Sequence, residues 1–142
     1  MNISFKEKSI LTSLIITILI FGYYFIYIFR AMNDPNPNES ELIGFFFRMV
    51  VLMIIIEIAS HITLAIAFKK EANEGYDERD KIIELKAIKI SYWILILGVL
   101  ITGVNIIIEI SPLISANILW LIFIIAEITG DTIKLFYYKR GI

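Results

Sequence analysis

Two pairs of ionisable residues stand inside apolar stretches of this chain: Glu57 with His61, and Glu127 with Asp131 seventy positions later. Neighbouring residues repeat at the same offset, Glu57-Ile58 against Glu127-Ile128, Ser60-His61 against Gly130-Asp131, and Lys69-Lys70 against Lys139-Arg140. A carboxylate beside an imidazole can pass a proton, and carboxylates in an apolar setting can share a proton or hold a cation. Lys134 joins the second pair, because Glu127, Asp131 and Lys134 follow an i, i+4, i+7 pattern on one helix face. The five side chains read either as a proton relay or cation site, or as a neutralised polar knot that sets helix register.

Metal binding is a narrower version of the cation reading. Glu57, His61, Glu127 and Asp131 offer a mixed oxygen and imidazole shell for a divalent zinc, iron or manganese ion, two ligands from each of two helices. Glu-x-x-x-His is no catalytic signature, and a single histidine in an apolar helix ordinarily packs with a hydrogen bond, so no cofactor is expected. The chain lacks His-Glu-x-x-His, Gly-x-Ser-x-Gly and a phosphate-binding glycine loop, which argues against familiar hydrolases and nucleotide enzymes. Having no cysteine, it forms no disulfide, thiolate metal site or cysteine nucleophile. The balance leans away from an enzyme.

The elements that must position these residues are membrane helices. Hydrophobic residues make up 58% of the chain, and they fall in blocks long enough to cross a bilayer. Four stretches qualify, at about 9–29, 42–68, 87–110 and 112–138, with a linker over 69–86. The sequence predicts an all-α integral membrane protein, one four-helix transmembrane domain over 1–142 built from two parallel two-helix repeats. Lys6 and Lys8 precede the first block as in a signal peptide, but the block runs a full span with no small-residue cleavage site, so it reads as a retained helix.

Basic residues set the orientation. Lys6, Lys8, Lys69, Lys70, Arg79, Lys81, Lys86, Lys89, Lys134, Lys139 and Arg140 fall beside one membrane face, and only Arg30 and Arg48 beside the other. Both termini are therefore expected in the cytoplasm, in a multi-pass protein of the cell membrane. A net charge of −1 without a basic face argues against direct nucleic-acid binding. The outer loop Asn33-Asp34-Pro35-Asn36-Pro37-Asn38 breaks the chain, and Asn38 with Glu41 has capping-box spacing. Ser111-Pro112 predicts a tight turn between the third and fourth spans. Tyr23, Tyr24 and Tyr27 suit an outer aromatic belt, and Tyr92, Trp93, Tyr137 and Tyr138 an inner one.

Narrower stripes mark the faces that pack. Helix one offers Ser9, Ser13, Thr17, Tyr24 and Tyr27, and helix three offers Ser91, Gly98, Thr102, Asn105 and Glu109, both as inward faces where small and hydroxylated residues allow close approach. Because helices two and four run in the same direction, the acidic pairs are expected at matching depth, where they could meet. Arg48 lies nine residues before Glu57, on the opposite helix face, and is expected to snorkel outward.

The remaining dense feature is the connection Glu74-Gly75-Tyr76-Asp77-Glu78-Arg79-Asp80-Lys81-Ile82-Ile83-Glu84-Leu85-Lys86-Ala87. Asp77 can cap a helix that runs on into span three, with Asp80 three positions later. Ile82, Ile83, Leu85 and Ile88 would then rest at the headgroup boundary with the charges in water. Such a segment reads as a solvated helical linker, or as a surface formed by Tyr76, Asp77, Glu78, Arg79 and Asp80 that docks a cytoplasmic protein or plugs the bundle mouth.

At this loop the chain resembles a family of small prokaryotic four-span membrane proteins. The resemblance rests on Tyr76-Asp77-Glu78-Arg79-Asp80, Lys86-Ala87, Ser91-Tyr92 and the closing Tyr137-Tyr138-Lys139-Arg140-Gly141, chiefly in the second half. It carries no assigned activity; association of its members with transcription regulators implies a sensory or regulatory role. The expected function is a small regulatory or interaction protein whose polar cluster sets its conformation. The alternative is a proton-coupled or cation-translocating transporter, a homo-oligomer because four short helices enclose little space.

Overall fold

The computed structural model describes residues 4–34, 37–73, 75 and 77–140. The regular elements among them are helices: α1 Phe5–Met32, α2 Glu39–Ala67, α3 Lys69–Ala72, α4 Glu78–Ile107 and α5 Pro112–Arg140. All but the short α3 are long and apolar enough to cross a membrane. At about 1.5 Å per residue these helices run roughly 42–45 Å, enough for the hydrocarbon core and both headgroup layers.

Helices outrun the apolar blocks because their caps are polar and lie beyond them. Ser4 and Glu7 form a reciprocal capping box at the start of α1. Asn38 accepts from the Glu41 amide at the start of α2. Asp77 accepts from the Asp80 amide at 2.7 Å and donates its own amide to the Asp80 carboxylate at 2.9 Å, so α4 begins at Glu78 inside the segment expected as linker. Of that segment and the neighbouring loops, Pro35, Asn36, Glu74, Tyr76 and Gly141 lie outside the described residues.

The third span ends earlier than expected, at Ile107. Glu109 turns left-handed at φ 60°, its amide bonds the Ile106 carbonyl, and the Ile110 amide reaches back to the Asn105 carbonyl. This is the Schellman pattern that closes a helix, with a glutamate where glycine is usual. Glu109 therefore leaves the helix-three stripe and stands exposed in the turn before Pro112.

Contacts gather within two compact units, Met1–Glu74 and Gly75–Ile142. In the first, α1 packs on α2. Its buried apolar residues are Phe21, Tyr24, Ile28, Leu42 and Phe45, all toward the 33–38 loop. Tyr24 stacks on Phe45 at 5.8 Å and meets Phe46 edge-on, so it is a core residue rather than part of an outer belt. Tyr23 remains exposed, and Tyr27 donates to Glu41. Arg48 lies over the Phe45 ring at 5.9 Å, away from Glu57 as the helix geometry requires.

The second unit is zipped along its length by α4 and α5. Ala87, Ser91 and Gly98 on α4 face Ala126, Gly130 and Ile122 on α5, and Ala126-x-x-x-Gly130 is a small-x-x-x-small repeat. A Cβ at Gly98 would lie 2.6 Å from Ile122 Cγ2, and one at Gly130 would lie 2.6 Å from Ser91 Oγ. Here the two helices touch too closely for a side chain.

Candidate functional site

In the first hairpin the N-terminal end of the α1 stripe meets the first ionisable pair. Ser13 Oγ donates to Glu57 Oε2 at 3.1 Å and lies 3.0 Å from His61 Nε2. His61 Nε2 is in turn 3.0 Å from Glu57 Oε2, and Ser9 Oγ is 3.1 Å from His61 Nδ1. Four side chains thus form one hydrogen-bonded chain between α1 and α2. Helix periodicity makes it: Ser9 and Ser13 share a face of α1, and Glu57 and His61 share a face of α2.

This network is satisfied in two protonation states. Neutral His61, protonated at Nε2, donates toward Glu57 and accepts from the Ser9 hydroxyl at Nδ1; the imidazolium donates from both nitrogens, and Ser9 rotates to accept. Glu57 lies about 6 Å from the middle of α2, toward the end where the basic residues gather. Its side chain is largely covered, at 17% exposed. A charged side chain near the centre of a span costs about 2.5–3.5 kcal/mol, and hydrogen-bond donors from Ser13 and His61 offset part of it.

Polar contacts continue to the helix ends. Lys8, next to Ser9, pairs with Glu71 of α3 at 3.2 Å and sits 3.6 Å over the Phe68 ring. The hairpin therefore has an aromatic core toward its loop and a polar clasp toward its open end. Helix α2 has buried residues only at Leu42 and Phe45, so at the open end the clasp is the main side-chain link between the helices.

The second hairpin carries the matching positions with different chemistry. Glu127 and Asp131 are both acidic, so the i, i+4 contact that joins Glu57 to His61 becomes a like-charge pair. Asp131 instead pairs with Lys134 at 2.9 Å. Glu127, within about 2 Å of the α5 midpoint, is exposed in an open pocket of about 210 Å³ that it shares with Ser91, Asp131 and Lys134. Thr102 bonds the carbonyl of Gly98 on its own helix, and Asn105 is buried with its Nδ2 unpaired among the described residues. Among the described residues no three histidine, aspartate or glutamate side chains are placed to hold a metal ion.

Of the expected docking motif, Asp77, Glu78 and Arg79 are exposed and Asp80 is turned inward. Asp80 is 3% exposed and accepts from the Tyr138 hydroxyl at 2.7 Å. Arg79 donates to the Tyr138 carbonyl at 3.1 Å, and Asp77 caps α4. Glu78 is left exposed with Lys81, Ile82 and Leu85, while Tyr76 is outside the described residues. What the sequence missed is the link to Tyr138, whose partner is set by how α4 and α5 rotate against each other.

No protein-family model, curated protein or solved structure matches the chain.

Proposed function

We propose that this chain is a small regulatory or interaction protein of the membrane, in which the Ser9–Ser13–Glu57–His61 clasp sets how closely α1 and α2 pack at their open end. The observation that carries this reading is the placement of the clasp: it joins two helices at the end where they lack an apolar core. Interhelical hydrogen bonds in a membrane are worth about 0.6–2 kcal/mol each, enough to hold an end closed and small enough to be overridden. Two satisfied protonation states give the clasp a way to respond to its surroundings.

The output surface in this reading is the exposed start of α4. Glu78, Lys81, Ile82 and Leu85 present charge and apolar area together beside the positively flanked ends assigned to the cytoplasm. Resemblance to proteins associated with transcription regulators favours a cytoplasmic protein as the partner. The test is proximity labelling in native membranes with wild type, a Glu78→Lys, Lys81→Glu double reversal, and Glu57→Gln. A partner lost on reversal and altered several-fold by Glu57→Gln supports the reading; identical labelling in all three refutes it.

A second reading is proton-coupled translocation, favoured by the unbroken Ser9–His61–Ser13–Glu57 hydrogen-bond chain, which is what a relay requires. It expects proton flux in proteoliposomes that Glu57→Gln abolishes, and flux equal to wild type removes it.

A further inference from the structure

Glu127 makes no hydrogen bond or ion pair among the described residues, although it stands at the middle of an apolar helix. One turn away, Asp131 is already neutralised by Lys134. The uncompensated charge in this pocket is therefore a single carboxylate. Ala87, Ile88 and Leu95 give it apolar wall, and Ser91, Tyr92 and Gly130 complete the lining.

We propose that this pocket binds an amphipathic ammonium ion, its charge on Glu127 and its apolar body along Ile88, Leu95 and Tyr92. Anions are disfavoured because the one cation in the lining, Lys134, is committed to Asp131. Hard inorganic cations need about six oxygen ligands, far more than one free carboxylate and a serine hydroxyl supply. An organic cation is weakly hydrated, finds its counter-charge in Glu127, and gains contact with the apolar wall and the face of Tyr92. The space, about 210 Å³, equals roughly seven water volumes and suits a short-chain amine rather than a whole lipid. The inference does not rest on the α1–α2 clasp.

The experiment uses the full chain in phosphatidylcholine nanodiscs, titrated calorimetrically with n-octylammonium, with empty discs as the partition reference and octanoate as the charge-reversed control. The expected result is saturable binding at one site per chain, at least tenfold weaker in Glu127→Gln, unchanged in Glu57→Gln, and absent for octanoate. Ile88→Trp keeps the carboxylate and narrows the pocket, and it should also weaken binding at least tenfold. Equal binding by Glu127→Gln and wild type overturns the proposal. So does wild-type uptake indistinguishable from empty discs, the outcome if a second copy of the chain covered the pocket.

Discussion

The Tyr138 hydroxyl donates to Asp80 Oδ1 at 2.7 Å, tying the last turn of α5 to the first turn of α4. Asp80 also completes the Asp77 capping box, and Arg79 bonds the Tyr138 carbonyl, so one latch caps a helix and closes a hairpin. Two segments far apart in the sequence, Asp77–Asp80 and the end of α5 at Tyr138, meet here.

Tyr138→Phe removes one hydrogen bond to a buried carboxylate and should destabilise the second hairpin by about 1.5–3 kcal/mol. Hydrogen exchange should report the loss at the amides of residues 78–84 and leave α1 and α2 unchanged. Asp77→Ala, which removes only the cap, should cost less, about 1 kcal/mol.

Close approach at Gly130 gives a second expectation. A methyl group there would meet Ser91 Oγ at 2.6 Å and break its bond to the Ala126 carbonyl, for a cost of about 1–3 kcal/mol. Ser91→Ala removes the clashing oxygen and leaves Ser91's Cβ position 3.9 Å away, so the Gly130→Ala, Ser91→Ala double variant should recover most of the loss. Gly103→Ala, with open space around it, should be neutral or stabilising. Unfolding of each variant in mixed micelles measures the difference.

Removing half of the α1–α2 clasp should be worse than removing both ionisable groups. His61→Leu leaves Glu57 in the span with Ser13 as its remaining donor, whereas the Glu57→Leu, His61→Leu double variant buries no carboxyl. The single variant should therefore be the less stable of the two in mixed-micelle unfolding, by about 1–3 kcal/mol.

Spans, caps and the polar residues within them were legible because each is a local property: apolar length, an Asp or Asn before a helix, a carboxylate in an apolar run. Even the inward stripe of α1 could be read from spacing, since Ser9, Ser13, Thr17 and Tyr24 do face α2 or the core. Relationships set by helix rotation could not. Asp80 in a charged run reads as solvated surface until Tyr138 covers it. Glu109 carried a helical period into the turn because its left-handed backbone, unusual for a non-glycine residue, leaves no signal in composition. Equal registers at 57/61 and 127/131 also concealed different chemistry, one pair bonded to each other and the other with Asp131 bonded to Lys134 instead.

The central claim is that Ser9, Ser13, Glu57 and His61 hold the open end of the first hairpin closed. Because the chain has no cysteine, spin labels can be placed at Leu11 and Ile62 near the clasp, and at Ile26 and Ile43 near the aromatic core, all exposed positions. Pulsed electron resonance distances in nanodiscs then compare wild type with Ser9→Ala, Ser13→Ala, which removes the α1 side of the clasp and leaves the Glu57–His61 contact intact. The 11–62 distance should lengthen and broaden while the 26–43 distance stays fixed; an unchanged 11–62 distribution, or equal lengthening of both pairs, would contradict the account.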